Sequence, residues 1–221
     1  MSWWGRLPFR TFGTNVLNAK RPKQDTQTEK PKTEERTIRK KSTIIILSII
    51  IIGLVFYKPI ETSILKYLYP CKYNEYVEKY AEEYNIDHLL IYSIIKAESN
   101  FEPQSTSVSG AKGLMQLMET TAEEVAKNTT IEYKQDETIY DIETNIMLGT
   151  KYFAQLLEYY KGNIHLSLTA YNAGMGNVAK WVEKGIIKED GSDIENIPFK
   201  ETNMYVRKII KNYEIYKRIY N

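Results

Sequence analysis

The 221-residue sequence has very little of the chemistry that disulfides and metal sites require. It contains one cysteine, Cys71, and two histidines, His88 and His165. A single cysteine excludes an internal disulfide and any zinc site built from several cysteines. Two isolated histidines are too few for a histidine-rich metal centre. The sequence therefore predicts no metal site.

A strong net charge is also missing, although the charges are unevenly distributed. The chain carries 30 Lys and Arg against 28 Asp and Glu, a net charge of +2. Residues 1–41 carry a net +7, whereas residues 71–221 hold 17 basic and 23 acidic residues, a net −6. A nucleic-acid-binding domain needs a basic face. The acidic C-terminal part therefore argues against a nucleic-acid partner.

The N-terminal segment lacks the apolar side chains that a core would need. Residues 20–41 are rich in Lys, Gln, Thr and Glu. Such a composition cannot bury enough apolar surface to offset the entropy lost on folding. We therefore predict that residues 1–41 form a disordered basic tail.

One long run carries no charge at all, from Thr43 to Tyr57. A helix that crosses a bilayer needs about 20 residues, with about 17 as the lower limit. The flanking residues extend the run to 42–60 if the neighbouring lysines reach the headgroups, which predicts a transmembrane anchor. The basic residues Arg39, Lys40 and Lys41 predict a cytoplasmic N-terminus and an extracytoplasmic C-terminal part.

A cleaved signal peptide is the competing interpretation of this run. Its charged N-terminal region would be unusually long, about 41 residues, and no small-residue cleavage site follows the apolar run. The sequence thus favours an uncleaved single-pass protein of the cell membrane, in which residues 61–71 form a short spacer.

Residues 72–221 show helical periodicity and no convincing strand. Apolar residues recur at helical spacing in several segments, among them Ile142–Tyr160 and Thr202–Tyr220. A short helical turn is expected at Leu114–Met118. The fold class is therefore predicted to be all-α, with one domain over 72–221.

Glu98 is the carboxylate with the most unusual predicted position. The segment from Asp87 to Ser99 predicts a helix with Asp87 as its N-cap. Glu98 lies four residues after Ile94 and seven after Ile91, so it falls on the apolar face. Desolvation there raises a carboxyl pKa, which is what a general acid for glycoside cleavage requires.

Four short motifs follow one another in this domain. They are Glu98-Ser99 with Phe101-Glu-Pro103; Gly110-Ala-Lys-Gly-Leu-Met-Gln-Leu-Met118; Ala170-Tyr-Asn-Ala-Gly174 with Gly176; and, more weakly, Ile197-Pro-Phe-Lys-Glu-Thr202 with Tyr205-Val206. Together they resemble the soluble-lytic-transglycosylase-type (SLT domain, family 1) peptidoglycan lytic transglycosylases, which have a lysozyme-like fold. The resemblance covers about residues 98–206.

The resemblance implies a reaction on peptidoglycan glycan strands that needs neither water nor a cofactor. Glu98 would protonate the β-1,4 bond between N-acetylmuramic acid and N-acetylglucosamine. It would then accept a proton from the muramic 6-hydroxyl, which closes a 1,6-anhydro ring. Neither the residues nor the resemblance indicates a protein partner.

The same resemblance implies a set of substrate-binding residues: Ser99, Met115, Gln116, Tyr171, Asn172, Ala173 and Tyr205. Gln116 can both donate and accept hydrogen bonds, which suits an acetamido group. Tyr205 is expected to approach Glu98, and Met115 to form the floor of the groove. A core position for Met115 and a buried Tyr171–Asn172 pair remain the structural alternatives.

The number of carboxylates bears on the type of reaction. Most glycosidases use two, but here only Glu98 combines a motif with an apolar face, while Glu102 and Glu119 lie in polar surroundings. One carboxylate favours a substrate that supplies its own nucleophile. A lysozyme-like hydrolase that uses water and a non-catalytic wall-binding scaffold are the two alternatives.

Overall fold

The computed structural model describes residues 32–221, so that most of the predicted disordered tail lies outside the described residues. The chain divides into two compact units, one ending at Val55 and the other formed by residues 56–221. The first helix, α1, runs from Lys32 to Leu68 and belongs in part to each unit.

Helix α1 is longer at both ends than the predicted anchor over 42–60. It begins at Lys32, inside the segment for which composition predicts disorder, because a helix nucleated in the apolar run extends at one hydrogen bond per residue through Lys, Arg and Glu. Its part from Arg39 to Leu68 is long and apolar enough to cross a membrane, and its side chains are exposed.

The rest of the chain is also helical, which confirms the predicted all-α class. Residues 32–221 contain no strand, only isolated bridges from Lys112 to Thr106 and to Leu117. A short 3₁₀ helix, Ile194–Asn196, precedes the last α-helix. The α-helices after α1 are α2 (Asn74–Glu83), α3 (His88–Glu98), α4 (Glu119–Ala126), α5 (Asp136–Ile139), α6 (Ile142–Tyr159), α7 (Ile164–Ala173), α8 (Met175–Glu183) and α9 (Lys200–Tyr220).

Helix α3 lies at the centre of the C-terminal unit. Asp87 caps it as predicted, because its Oδ1 accepts a hydrogen bond from the Leu89 amide at 2.8 Å. All seven residues from Leu89 to Ile95 are buried, so the helix is covered on every side by its neighbours, including α2 and α9. The last residues of α3, which include Glu98, are partly exposed and lie at the edge of this interior.

The segment between α3 and α4 forms a bridged loop. The predicted helical turn at Leu114–Met118 is wrong, because Lys112 and Leu117 exchange two backbone hydrogen bonds of 2.9 and 3.0 Å. Gly113 (φ 77°) and Gln116 (φ 48°) are left-handed, which interrupts a right-handed helix. We call residues 110–118 the motif loop.

Candidate active site

Glu98, the last residue of α3, meets a tyrosine from the last helix of the chain. Tyr205 Oη on α9 donates a hydrogen bond to Glu98 Oε1 at 2.6 Å. The tyrosine ring is buried, with 8% of its surface exposed. The predicted approach of Tyr205 to Glu98 is therefore present, although 107 residues separate them in sequence.

The surroundings of Glu98 favour its neutral form. Burial raises its pKa to about 7, although the hydrogen bond from Tyr205 and the charge of Lys208 act in the opposite direction. Lys208 is held nearby, because its Nζ donates to the Ala97 carbonyl at 2.7 Å. With a pKa near neutrality, the carboxyl group can release a proton and accept one again under the same conditions.

The two tyrosines beside Glu98 act as hydrogen-bond donors and not as acids. Burial, together with the Glu98 carboxylate, raises the pKa of Tyr205 and of Tyr171 well above the usual value. Both phenols therefore keep their protons over the range in which Glu98 titrates.

A groove of about 390 Å³ opens over Glu98. Four of the predicted binding residues line it together with Glu98: Gln116, Tyr171, Asn172 and Ala173. The remaining lining residues are Ser107, Ser109, Ala111, Met118, Phe199, Glu201 and Thr202. A second cavity, of about 610 Å³ and lined by residues of α3, α6, α7 and α9, does not contain Glu98.

Gln116 presents an acceptor to this groove. Both amide protons on its Nε2 are used within the protein, by the carbonyl oxygens of Ser105 at 3.0 Å and Gly113 at 2.9 Å. Its Oε1 has no hydrogen-bond partner among the described residues. The predicted dual role of Gln116 is thus reduced to that of an acceptor for a substrate N–H or O–H group.

Asn172 presents the complementary donor. Its Oδ1 accepts a hydrogen bond from Thr202 Oγ1 at 2.7 Å, which orients the amide and leaves Nδ2 toward solvent. Asn172 is exposed and lies on the same groove as Gln116. The groove therefore offers one amide donor and one amide acceptor.

Three of the predicted binding residues hold the motif loop through hydrogen bonds or packing. Ser99 Oγ lies 2.8 Å from the Leu114 carbonyl, and Tyr171 Oη donates to the Met115 carbonyl at 2.8 Å. Met115 itself is fully buried, packed against Gly149. The prediction that Met115 forms the groove floor is wrong, because its side chain points into the core.

Asn145 on α6 completes this support, although none of the four sequence motifs contains it. Its Oδ1 accepts from the Met115 amide at 2.8 Å, while Nδ2 donates to the carbonyls of Ile139 at 2.7 Å and Lys112 at 3.2 Å. A Cβ at residue 113 would lie 2.2 Å from Asn145 Nδ2, so this position requires glycine. Helical periodicity marks Asn145 as buried but gives no partner.

Glu119 is held in an ion-pair network and does not reach the groove. Lys112 Nζ donates to Glu119 Oε2 at 2.8 Å, and Tyr133 Oη donates to Oε1 at 2.6 Å. These contacts lower the pKa of Glu119, and the hydrogen bond from Lys112 has the largest effect.

A second carboxylate does line the groove. It is Glu201, which belongs to the weakest of the four motifs and has no role predicted from the sequence.

Comparison with known proteins gives one family and several relatives. Residues 75–193 match the family model described as the transglycosylase SLT domain. The soluble lytic murein transglycosylase of Escherichia coli is 34% identical over 154 residues, covering 69% of this chain and 24% of that protein. The membrane-bound lytic murein transglycosylase C of Edwardsiella ictaluri is 31% identical, covering 67% of this chain and 47% of that protein.

Solved structures agree with the sequence relatives. An inactive mutant of the lytic transglycosylase Slt from Pseudomonas aeruginosa superposes with a TM-score of 0.64 at 32% identity. The match covers 70% of this chain and 25% of that chain. The chain spans about a quarter of the length of the first curated relatives that it matches.

The raised pKa of Glu98 predicts a pH-dependent cost in stability. A carboxyl that binds its proton more tightly in the folded state contributes stability below the unfolded pKa of 4.5 and loses it as pH rises through about 7. Glu98→Gln stays neutral at every pH. Relative to wild type, its free energy of unfolding should therefore rise by up to about 3 kcal/mol between about pH 4 and about pH 8.

Urea unfolding of the full chain in detergent, followed by circular dichroism at both pH values, measures this difference. Glu189→Gln is the matched control, because Glu189 is exposed and makes no ion pair within residues 32–221. A difference between Glu98→Gln and wild type that does not change with pH would contradict a neutral Glu98 in the folded protein.

Proposed function

The chain belongs to the transglycosylase SLT domain family, and on this basis we propose that it is a lytic transglycosylase of peptidoglycan. Glu98 is the general acid, and then the general base, for cleavage between N-acetylmuramic acid and N-acetylglucosamine. The observation that carries this proposal is the half-buried carboxyl group of Glu98, whose pKa is raised to about 7 and which lines an open groove.

The first half of the reaction uses the neutral form of Glu98. Its proton passes to the glycosidic oxygen as the bond to the anomeric carbon breaks and an oxocarbenium-like centre develops. The carboxylate that remains accepts the hydrogen bond from Tyr205, which stabilises its negative charge. Tyr205 is therefore a positioning residue that favours proton release.

The second half returns the proton to Glu98. The carboxylate takes it from the muramic 6-hydroxyl, and the hydroxyl oxygen attacks the anomeric carbon to close the 1,6-anhydro ring. Burial then favours the neutral carboxyl again, so the enzyme regains its starting form without water or a cofactor.

Recognition of the N-acetyl groups follows from the two amides on the groove. A substrate acetamido group has one N–H donor and one carbonyl acceptor. Gln116 Oε1 and Asn172 Nδ2 offer the complementary pair, since the other atoms of both amides are occupied within the protein. The exposed Met118 and Phe199 supply apolar surface for sugar faces.

Identification of the products tests this chemistry. The full chain in detergent should release from purified peptidoglycan muropeptides that are lighter than hydrolysis products by the mass of one water. Glu98→Gln should lower the rate by at least about 100-fold, the usual contribution of a positioned acid. Glu189→Gln, which changes an exposed carboxylate, should leave both products and rate unchanged.

A hydrolase that uses water is the second candidate, because Glu201 lies on the same groove. Products of full mass that disappear in Glu201→Gln would replace the proposed reaction with hydrolysis. No products, under conditions in which a control enzyme digests the same wall, would favour a binding role.

The role of Tyr205 predicts a shift of the pH–rate profile. Because its hydrogen bond lowers the pKa of Glu98, Tyr205→Phe should raise that pKa further. The activity needs the neutral carboxyl, so the alkaline limb of kcat/KM should move to higher pH by about one unit, with a lower maximal rate. Tyr159→Phe, at an exposed tyrosine, is the control, and an unmoved limb would contradict this role.

The membrane topology is also part of the proposal. We infer that α1 crosses the cytoplasmic membrane with its N-terminus inside, because Arg39, Lys40 and Lys41 precede the uncharged run. Peptidoglycan lies outside this membrane, so the groove is then on the side of its substrate.

Protease treatment of wall-free cells tests this topology on the full chain tagged at both ends. The C-terminal tag should be lost and the N-terminal tag retained, because only the C-terminal part is outside. Both tags should be lost after detergent lysis. Loss of the N-terminal tag in intact cells would reverse the orientation, and retention of both would place the whole chain inside.

A further inference from the structure

A pocket rich in lysine lies where the end of α1 meets α3, away from Glu98. Its volume is about 600 Å³. Its charged lining residues are Lys66, Lys72 and Lys96, beside Tyr67, Asn100 and Phe101, and no carboxylate lines it among the described residues. We call it the basic pocket.

The lysines of the basic pocket have no counter-ion. None of the three forms an ion pair within residues 32–221. Lys96 Nζ donates to two neutral acceptors, the backbone carbonyl oxygen of Leu68 at 2.6 Å and the side-chain Oδ1 of Asn100 at 3.2 Å. Burial and the nearby charge of Lys208 lower the pKa of Lys96, so an anion here would relieve an unfavourable charge.

The pocket is held in shape by hydrogen bonds from α3 and α9. Three successive carbonyl oxygens at the end of α1 each accept a hydrogen bond. The Leu68 carbonyl accepts from Lys96 Nζ, the Tyr69 carbonyl from Tyr220 Oη at 2.8 Å, and the Pro70 carbonyl from Tyr216 Oη at 2.9 Å. Residues 68–70 are therefore fixed to α3 and α9. Lys66 and Lys72, on either side of them, therefore line the same pocket as Lys96 of α3.

The position of the pocket along α1 indicates its ligand. Lys66 lies six residues after Ile60, the end of the proposed span, which is about 9 Å along a helix. The headgroup region extends roughly 5–8 Å beyond the hydrocarbon core, so the Lys66 backbone lies just outside it and its long side chain can reach back into it. Tyr67, with 85% of its surface exposed, has the amphipathic ring that favours this interface.

We propose that the basic pocket binds the phosphate headgroup of an anionic lipid in the membrane that α1 crosses. This rests on the membrane topology proposed above and not on the cleavage reaction. Ammonium groups bind phosphate through charge-assisted hydrogen bonds, and lysines next to a membrane bind anionic surfaces. Residues 71–221 as a whole have a net charge of −6, so a local cluster of lysines is needed to attract such a surface.

Retention of lipid by the full chain tests this proposal. The protein is reconstituted in nanodiscs of equal phosphatidylcholine and phosphatidylglycerol, and the lipids that stay bound are counted by native mass spectrometry. Wild type should retain phosphatidylglycerol in preference, and Lys66→Gln with Lys72→Gln should lower that preference by about 25-fold, which is about fivefold for each lysine. Both substitutions avoid Lys96, which bonds the backbone.

The matched control changes the same charge elsewhere. Lys161→Gln with Lys184→Gln alters two exposed lysines that have no ion pair within residues 32–221, and should keep the preference. An equal loss in both double variants, or equal retention of the two lipids by wild type, would overturn the proposal. If wild type retains the two lipids equally but binds a soluble polyphosphate chain, the proposal is overturned and the pocket is assigned to an anionic wall polymer.

The outcome is separable from that of the proposed reaction. Lys66→Gln with Lys72→Gln should cleave solubilised peptidoglycan at the wild-type rate, since neither residue lines the groove. A chain that does not insert into nanodiscs would overturn both the topology and the lipid site, while leaving the product assay unaffected.

Discussion

The backbone of Leu114 and Met115 is the point on which the active site depends. Side chains from three separate elements hold it: Ser99 after α3, Asn145 on α6 and Tyr171 on α7. The motif loop has no regular ladder of its own, so its buried polar groups need these partners. Because Ser99 directly follows Glu98, the same bonds that order the loop also fix the distance between the acid and Gln116.

Glu98 combines two opposing effects whose balance sets its chemistry. Desolvation alone would keep the carboxyl neutral and make it a poor base, while a strong counter-charge would keep it ionised and make it a poor acid. Tyr205 supplies a neutral donor, which lowers the pKa less than a cation at the same distance would. Lys208 also lowers the pKa of Glu98, but less than the hydrogen bond from Tyr205 does, and its Nζ donates to the Ala97 carbonyl and not to the carboxylate.

The sequence predicts those features that depend on local pattern. Asp87 as a cap, the burial of Glu98 and the all-α class follow from side-chain chemistry and helical spacing. The support of the motif loop does not, because Asn145 and Tyr171 reach it from 30 and 56 residues away. Ser99 and Met115 belong to motifs, and both are predicted to bind substrate. A motif shows that a residue matters but not which atoms it contacts, and in the structure both residues take part in the support of the motif loop. The left-handed Gln116 likewise depends on tertiary contacts that override local preference.

Helix α3 carries both proposed functions on opposite faces. Lys96 and Glu98 are two residues apart, which separates them by about 200° around the helix. Lys96 faces the basic pocket and Glu98 faces the groove. Residues 68–70 are hydrogen-bonded to α3 and α9, so the chain that leaves α1 is attached to the helix that carries Glu98. A lipid bound in the basic pocket would therefore contact the same helix that supplies the catalytic carboxyl group.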